Sequence, residues 1–438
     1  MANRVLASRD VQGENKLMRS HGRSSICLVS AGVVAAVASL AACGSSSAKT
    51  ASPTTVASAS TKGAAGAAGS PVRVVAIVDE LPSVGLAYPT LREGFAVASK
   101  WINSHGGLGG TGHPVDVSFC VTNLNPNGSA SCARQVASNP GVVATVGNVL
   151  NYSNTVDPLL EAAGVASIAP QPYSAADGSS SISFPINDAY LDTSPAMAAE
   201  CIDAGHATKM SLLYVNVPAA QASLSQTVQE IEKRHVRVVN KVPVAIGTAD
   251  LSPYVAKLVS GGTNGVALLT DAATAVKTVQ ALRSGGSKVA VCGNVDAFTP
   301  KTITALGTAG EGLYVSSLFA ANSVQQPGVQ AFVSAMKQYG NVGDSDDFSK
   351  QAWASLQLLN TASKGLTAIT RQTVLASMKS LTQWNSGGLL PVINFKTKGT
   401  LLDGTVPRFN NPDMFYAVVK DGELTPTQGD TFSNPLAS

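Results

Sequence analysis

The sequence predicts an α/β protein of two Rossmann-like lobes, each a parallel sheet flanked by helices. Three observations carry that expectation. Short apolar runs such as Val74-Val75-Ala76-Ile77-Val78 recur along the chain, the pattern of a parallel strand covered on both faces. Between them lie stretches with apolar residues at helical spacing, the crossovers a parallel sheet requires. The alternation then occurs twice, on either side of a Ser/Gly-rich stretch at 175–183, and 438 residues suffice for two such cores.

Residues 73–119 form one complete strand, helix, strand unit around which the rest is organised. Thr90 and Glu93 have capping-box spacing, and Leu91, Phe95, Ala98 and Ile102 share a helical face. Gly106 and Gly107 stop that helix, after which Val115, Val117 and Phe119 alternate with polar residues as a returning strand. The loop 79–88 leaves the carboxyl end of the first strand, where open α/β sheets hold their ligands. Next come a helix opened by Asn127 or Ser129, a buried strand at 142–146 and a polar loop at 147–154. A helix over about 155–163 stops at Gly164 and leads to a strand at 165–168. Residues 175–183 read as the exit loop from this lobe.

The second array begins near Thr193. Strands are expected at 210–215, 236–244, 266–269, 289–291 and 313–316. Leu224, Val228 and Ile231 mark one intervening helix, and Val276, Val279 and Leu282 mark another that closes on Gly285 and Gly286. Beyond it, Val329, Phe332, Val333 and Met336, then Phe348, Ala352, Leu356 and Leu359, mark two helices with no strand between them. They suit a cover for the first sheet. From 392 onward the chain looks β-like, with 414–419 the clearest strand. The expected domains are a signal peptide at 1–42, a lipidated Cys and disordered tether at 43–70, and the first lobe at 71–185. The second lobe is 186–316, the first lobe resumes at 317–394, and 395–438 returns to the second lobe and forms the tail.

Charge narrows the partners. Arg4, Arg9, Lys16, Arg19 and Arg23 against Asp10 and Glu14 account for the whole formal charge of +3, so the rest of the chain is neutral. Nothing basic is left to track a phosphate backbone, which argues against nucleic acid. Arg19 and Arg23 precede an uncharged run at 26–40 that ends in Leu40-Ala41-Ala42-Cys43-Gly44. That order reads as a secretory signal, and Met18 is an alternative start that gives it ordinary length. The last five residues resemble a bacterial lipobox, which implies that Cys43 is lipidated. Residues 44–70 are almost entirely Ser, Ala, Thr, Gly and Lys, a tether of about 30 Å mean reach. The protein is therefore expected on the extracytoplasmic face of the cell membrane. Four further cysteines fit an oxidising compartment. Cys120 and Cys132 lie close enough in sequence to pair, whereas nothing local brings Cys201 to Cys292.

Catalytic and cofactor motifs are missing. Gly107, Gly109 and Gly112 have dinucleotide-fingerprint spacing, but they follow a helix and precede a strand, the reverse of the order a pyrophosphate needs. No Walker loop, no G-x-S-x-G and no His pair at metal-ligand spacing occurs. No cofactor, no metal and no catalytic residue is expected. The informative constellation is distributed over strand-end loops. It comprises Tyr88; Asn151, Tyr152, Ser153 and Asn154; Gln171 and Tyr173; Tyr214 and Asn216; Thr270 and Asp271; and Asn294 and Asp296. The helix opened by the 151–155 loop suits a ligand carboxylate, and Asp271 or Asp296 suits an ammonium. The plain alternative is that Asp157 or Asn154 merely caps that helix.

Across about 72–425 the chain resembles the lipoprotein solute receptors of ABC importers, of the leucine/isoleucine/valine-binding type. The resemblance rests on Leu91-Arg92-Glu93-Gly94-Phe95-Ala96, Ile102-Asn103, Gly106-Gly107 and Gly110. Val146-Gly147, Ile168-Ala169-Pro170 and Gly310-Glu311-Gly312 are similar too. It implies the type I periplasmic-binding fold, in which three crossovers form a hinge and the lobes close on an amino acid or similar small polar solute. The implied protein is a monomer that serves an ABC permease. By position, Tyr88 stands where an aromatic covers the ligand, while Asn151 or Tyr152, with Gln171 and Tyr173, matches the carboxylate-binding loops. Asp271 and Asp296 fall near the amino-group positions. Those carboxylate loops commonly carry Ser and Thr, and no aromatic stands at 217–220 where one is usual. A sensor for a signalling partner would share these features. An exported hydrolase would instead need a nucleophile on a strained turn.

Overall fold

A computed structural model describes residues 67–81, 86–216, 218–245, 247–400 and 404–434. Cys43, the signal and most of the tether lie outside them. The first sheet grows from β1 (Val72–Val78), whose Val74, Ala76, Ile77 and Val78 are wholly buried. It is followed by α1 (Pro89–Ser104), β2 (Val115–Val121), α2 (Pro126–Ser138), β3 (Val142–Val146), β4 (Val149–Leu150) and α3 (Ser153–Ala162). Then come β5 (Ala166–Ile168), β6 (Gln171–Pro172), α4 (Ala175–Ser179) and β7 (Ser183–Phe184). The strands run parallel in the order β2-β1-β3-β5-β7, and β4 and β6 extend the row past the carboxyl end of β1. Loops leaving this end are therefore adjacent in space although separated in sequence.

The chain then crosses to α5 (Ala189–Asp203), β8 (Lys209–Val215), α6 (Pro218–Lys233), β9 (Arg237–Val244), α7 (Ser252–Leu258) and β10 (Gly265–Leu269). It continues through α8 (Ala272–Ser284), β11 (Ala290–Asn294), α9 (Pro300–Leu306) and β12 (Leu313–Ser317). A second crossover returns it to the first sheet as α10 (Pro327–Tyr339), α11 (Asp347–Ala362), α12 (Arg371–Ser380) and the short pair β13 (Gln383–Trp384) and β14 (Ile393–Asn394). A third brings β15 (Met414–Lys420), β16 (Glu423–Pro426) and β17 (Phe432–Ser433) to the second sheet. There β9-β8-β10-β11-β12 are parallel and β15 joins β12 antiparallel. The sheets are thus linked by three strands of chain.

The cover over the first sheet is close-packed. A Cβ on Gly94 would sit 2.4 Å from the Ser349 carbonyl, so α1 approaches α11 as only a glycine allows. Gly109 combines a φ of 60° with a would-be Cβ 2.4 Å from the Ser363 carbonyl, which serves both the turn and the contact. Two disulfides form: Cys120 with Cys132 joins β2 to α2, and Cys201 with Cys292 joins α5 to β11. No described helix is long and apolar enough to cross a membrane.

Several local expectations are corrected. The Thr90 and Glu93 capping box does not form, because later chain takes both side chains. The Thr90 hydroxyl donates to Asp346 Oδ2 at 2.6 Å, and Glu93 Oε1 accepts from the Asn341 N–H at 2.7 Å. α2 is capped by Asn125 rather than by Asn127 or Ser129, its side chain accepting from the Gly128 N–H. The stretch 175–183 holds α4, with a capping box of Ser174 and Asp177, and leads into a strand of the same sheet. Helices α5, α7, α9 and α12 escaped apolar spacing. α12 is held partly by polar bonds, with Arg371 reaching the carbonyls of Val136, Ala137, Asn139 and Val142.

Candidate functional site: a cleft between the sheets

Loops from the carboxyl ends of both sheets face one another across a cleft of about 920 Å³. The first sheet contributes residues 86–90, and its cover contributes Asp344, Asp346 and Phe348. The second sheet contributes Thr270 and Asp271 after β10, Asn294 at the end of β11 with Asp296 after it, and one face of α9. Parallel topology dictates this convergence, since every β-to-α loop of a parallel sheet leaves from the same edge.

Tyr88 is braced from two sides. Its ring stands 4.8 Å from the Phe348 ring, centroid to centroid, and its N–H donates to Glu80 Oε1 at 3.1 Å. Burial, followed by the Asp79, Glu80 and Asp296 charges, pushes its hydroxyl pKa well up, so it stays a neutral donor. Burial also opposes ionisation of Glu80, but Arg92 at 2.5 Å and the Tyr88 N–H outweigh it and leave that carboxyl below its ordinary value.

The most unusual chemistry lies where Asp296 meets α11. Asp296 Oδ1 accepts from the Asp347 N–H at 3.2 Å, and its other oxygen takes no hydrogen bond among the described residues. Protein encloses it on most sides, and that burial, followed by the Asp347 and Asp346 charges, raises its pKa well above the ordinary value. Asp347 is tied to the second crossover by the Ser317 hydroxyl at 2.6 Å and the Leu318 N–H at 2.8 Å, and burial pushes it up to about 6. Lys350 is the one cation inside the group. Its Nζ donates to the Ala320 carbonyl at 2.9 Å, and burial lowers its pKa while Asp347, Asp346 and Asp296 oppose the fall. Three carboxyls therefore share one lysine.

The residues singled out from sequence are distributed unequally. Tyr88, Thr270, Asp271, Asn294 and Asp296 line the cleft. Burial raises the Tyr173 pKa well above its ordinary value, with the neighbouring Tyr88, Asp296 and Asp347 groups opposing its ionisation too, and it faces the Gln171 side chain. Gln171 Oε1 is buried without a hydrogen-bond partner. Asp271 caps α8, accepting from the Thr274 N–H and hydroxyl. Asn151 gives its backbone N–H (2.6 Å) and side-chain Nδ2 (3.0 Å) to Asp79 Oδ2. Tyr152 occupies the N-cap position of α3 without a side-chain cap, so neither Asn154 nor Asp157 caps that helix, whose Thr155 and Val156 N–H groups bond the Tyr152 carbonyl. Ser153 is fully buried and donates to the Leu150 carbonyl, and Tyr214, within β8, is half-buried against the core under α5 and α6. Neither of them, nor Asn151, Tyr152, Gln171 or Tyr173, is among the residues that line the cleft volume. Sequence reasoning missed Asp79, Asp346 and Asp347. Asp346 does leave a local signal, since Asp346 and Ser349 form a capping box at the head of α11.

No described group of His, Cys, Asp and Glu has metal-binding geometry. The sequence matches the family description "Periplasmic binding protein" over residues 71–407. The chain belongs to that family. Periplasmic binding proteins hold small solutes between two lobes and are not enzymes. Their setting is extracytoplasmic. Solved structures agree on the fold of this binding protein. The substrate-binding protein LivJ of Streptococcus pneumoniae, in complex with isoleucine, superposes with a TM-score of 0.63 at 16% identity, covering 81% of this chain and 97% of that one. An extracellular ligand-binding receptor from Verminephrobacter eiseniae gives 0.66 at 14%, covering 81% and 99%. The fatty acid ABC transporter substrate-binding protein of Thermomonospora curvata gives 0.62 at 16%, covering 85% and 95%. No curated protein matches the sequence.

Proposed function

We propose that this binding protein is the lipid-anchored solute receptor of an ABC importer, and that it captures an amino acid or a similar small solute bearing an ammonium group. The observation that carries the ligand class is the excess of carboxyls at and just behind the cleft wall. Asp296, Asp346 and Asp347 are paired internally with Lys350 alone, so a ligand cation completes the charge balance that protons otherwise supply. Tyr88 covers the ligand, Gln171 and Tyr173 donate to and accept from it, and the uncapped head of α3 beside Asn151 and Tyr152 takes its carboxylate. Asp271 supports the ammonium from the second lobe. Ligand contacts to both lobes favour the closed form by their differential affinity. Cys43 anchors a monomeric body to the membrane, within reach of the permease.

A thermal-shift screen tests this reading with amino acids, aromatic acids, polyamines, sugars and fatty acids. A ligand at a hundred times its dissociation constant adds about 2.7 kcal/mol to the native state. The expected result is a reversible rise with amino acids that Tyr88→Ala reduces by at least about tenfold in affinity, near the top of the range for one aromatic contact. A response to fatty acids or sugars alone would overturn the ligand class and leave the receptor standing.

A further inference from the structure

A second cavity, of about 340 Å³, lies on the other face of α9 from the cleft. Pro300, Ile303 and Thr304 line it, whereas Lys301, Thr302 and Ala305 line the cleft. The opposing wall comes from Val333 and Lys337 of α10, from Val342, and from Asn322 at the second crossover. Leu424 of β16 closes it. At about 30 Å³ per water it holds roughly ten heavy atoms, the lower end of the range for small-molecule sites.

Its chemistry is specific in two respects. Ile303 and Val333 are buried, and with Val342 and Leu424 they offer an apolar body. The Asn322 side chain makes no hydrogen bond among the described residues, and its Oδ1 is buried without a partner. An unpartnered buried amide carbonyl is costly until a donor arrives. The neighbouring polar groups are already engaged: the Ser323 hydroxyl donates to the Leu424 carbonyl, and Lys350 Nζ donates to Ala320. At the rim Lys337 and Glu423 are exposed and opposite in sign, so the mouth carries no net charge to attract an ion.

We propose that this hinge-side cavity is a second binding site, for a small neutral molecule with an apolar body and a carboxamide or lactam head that pairs reciprocally with the Asn322 amide. Oδ1 is shielded from solvent, so binding turns the Asn322 side chain toward the cavity. The ligand N–H then donates to Oδ1, and the ligand carbonyl accepts from Nδ2. The site shares no cleft-lining residue, and Lys350, which balances the cleft carboxyls from behind, borders it without being used in the amide pairing, so the two readings are tested separately.

Saturation-transfer NMR on the whole protein with benzamide and hexanamide tests it, with hexanoate and hexylamine as charged controls. Saturable binding of the amides with a dissociation constant of about 1 mM is expected, as for a ligand of this size. Asn322→Leu should weaken it at least about tenfold, the order for a lost buried amide pair. Val333→Trp fills the cavity and should abolish binding, and Tyr88→Ala in the cleft should leave it unchanged. Equal binding to wild type and Asn322→Leu would overturn the proposal, as would equal binding of hexanoate or hexylamine. So would absence of saturation, or loss of binding in Tyr88→Ala, which would put the amide in the cleft. If Val333→Trp does not fold, Asn322→Leu decides.

Discussion

The Asp347 N–H donates to Asp296 Oδ1 at 3.2 Å, joining the head of the cover helix on the first sheet to a cleft loop of the second. Asp296 thus serves two ends, an acceptor that ties the lobes and a charge that faces the ligand. Asp296→Asn separates them, because the amide oxygen still accepts from Asp347 while the charge is gone. The melting temperature should hold or rise. Affinity for an ammonium ligand should fall by at least about tenfold, the order for a lost charge-assisted bond. Calorimetric titration with the ligand from the screen checks both parts.

Stability should fall as pH rises through neutrality. Burial pushes Asp157 from its ordinary 3.8 up to about 7, with the Ser180 hydroxyl opposing and Glu161 adding. Burial likewise pushes Asp188 up to about 7, against the N–H groups of Asn411 and Asn410. Between the two values the folded protein holds protons that the unfolded chain has released, so the contribution present below about pH 4 is lost as pH climbs through 7. Asp157→Asn should flatten the slope between about pH 4 and 7 and raise stability at pH 8 by on the order of 4 kcal/mol. Urea unfolding at several pH values measures it, and an unchanged slope would count against the assignment.

Asp79 is a structural acceptor that Ala cannot replace. It accepts from the Thr122 hydroxyl and from two nitrogens of Asn151, in a fully buried position. Asp79→Ala should cost about 3 kcal/mol in denaturant unfolding, and Asn151→Ala about 1 kcal/mol since the backbone bond survives. Equal costs would mean that the side-chain bond dominates.

Lys301 on α9 pairs with Asp344 on the other side of the cleft at 3.1 Å, and the lysine is two-thirds exposed at 67%. Such pairs are worth about 0 to 1 kcal/mol. Lys301→Ala should therefore leave global unfolding unchanged within about 0.5 kcal/mol and yet shift the ligand-free lobes toward opening by up to about fivefold. Spin-label distances between the lobes report it, and about 1 M salt should mimic the substitution.

The two disulfides should differ in worth. They close intervals of 12 and 91 residues, for which chain entropy gives about 3 and between about 4 and 5 kcal/mol. Replacing Cys201 and Cys292 together by Ala should cost more in reversible unfolding than replacing Cys120 and Cys132. The reverse order would show that burial around each bridge outweighs loop length.

Much of the frame was legible locally. The strand at 72–78 and the buried runs at 142–146 and 265–269 announced themselves, because a strand covered on both faces must be apolar at nearly every position. Helices with polar faces and short strands such as β4 and β6 left no comparable periodicity, and α12 is pinned through Arg371 by carbonyls more than two hundred residues away. The same limit applied in the site. Tyr88, Asp271 and Asp296 were picked out because each follows a strand end. Asn151 and Ser153 have that placement too, yet Asp79 and the Leu150 carbonyl take their side chains, and both oxygens of Asp271 already accept from Thr274.

The sequence by itself determined the long buried strands, where the polar loops between them fall, and that those loops leave one edge of each sheet. These follow from burial periodicity and chain connectivity, both local properties. Tertiary structure decided which loop side chains are free for a ligand and which are spent. It also brought Asp346, Asp347 and Lys350 from the cover helix to Asp296, from which they are about fifty residues apart in sequence. A carboxyl's ionisation depends on the charges and water within a few ångströms of it, and no spacing along the chain encodes that neighbourhood.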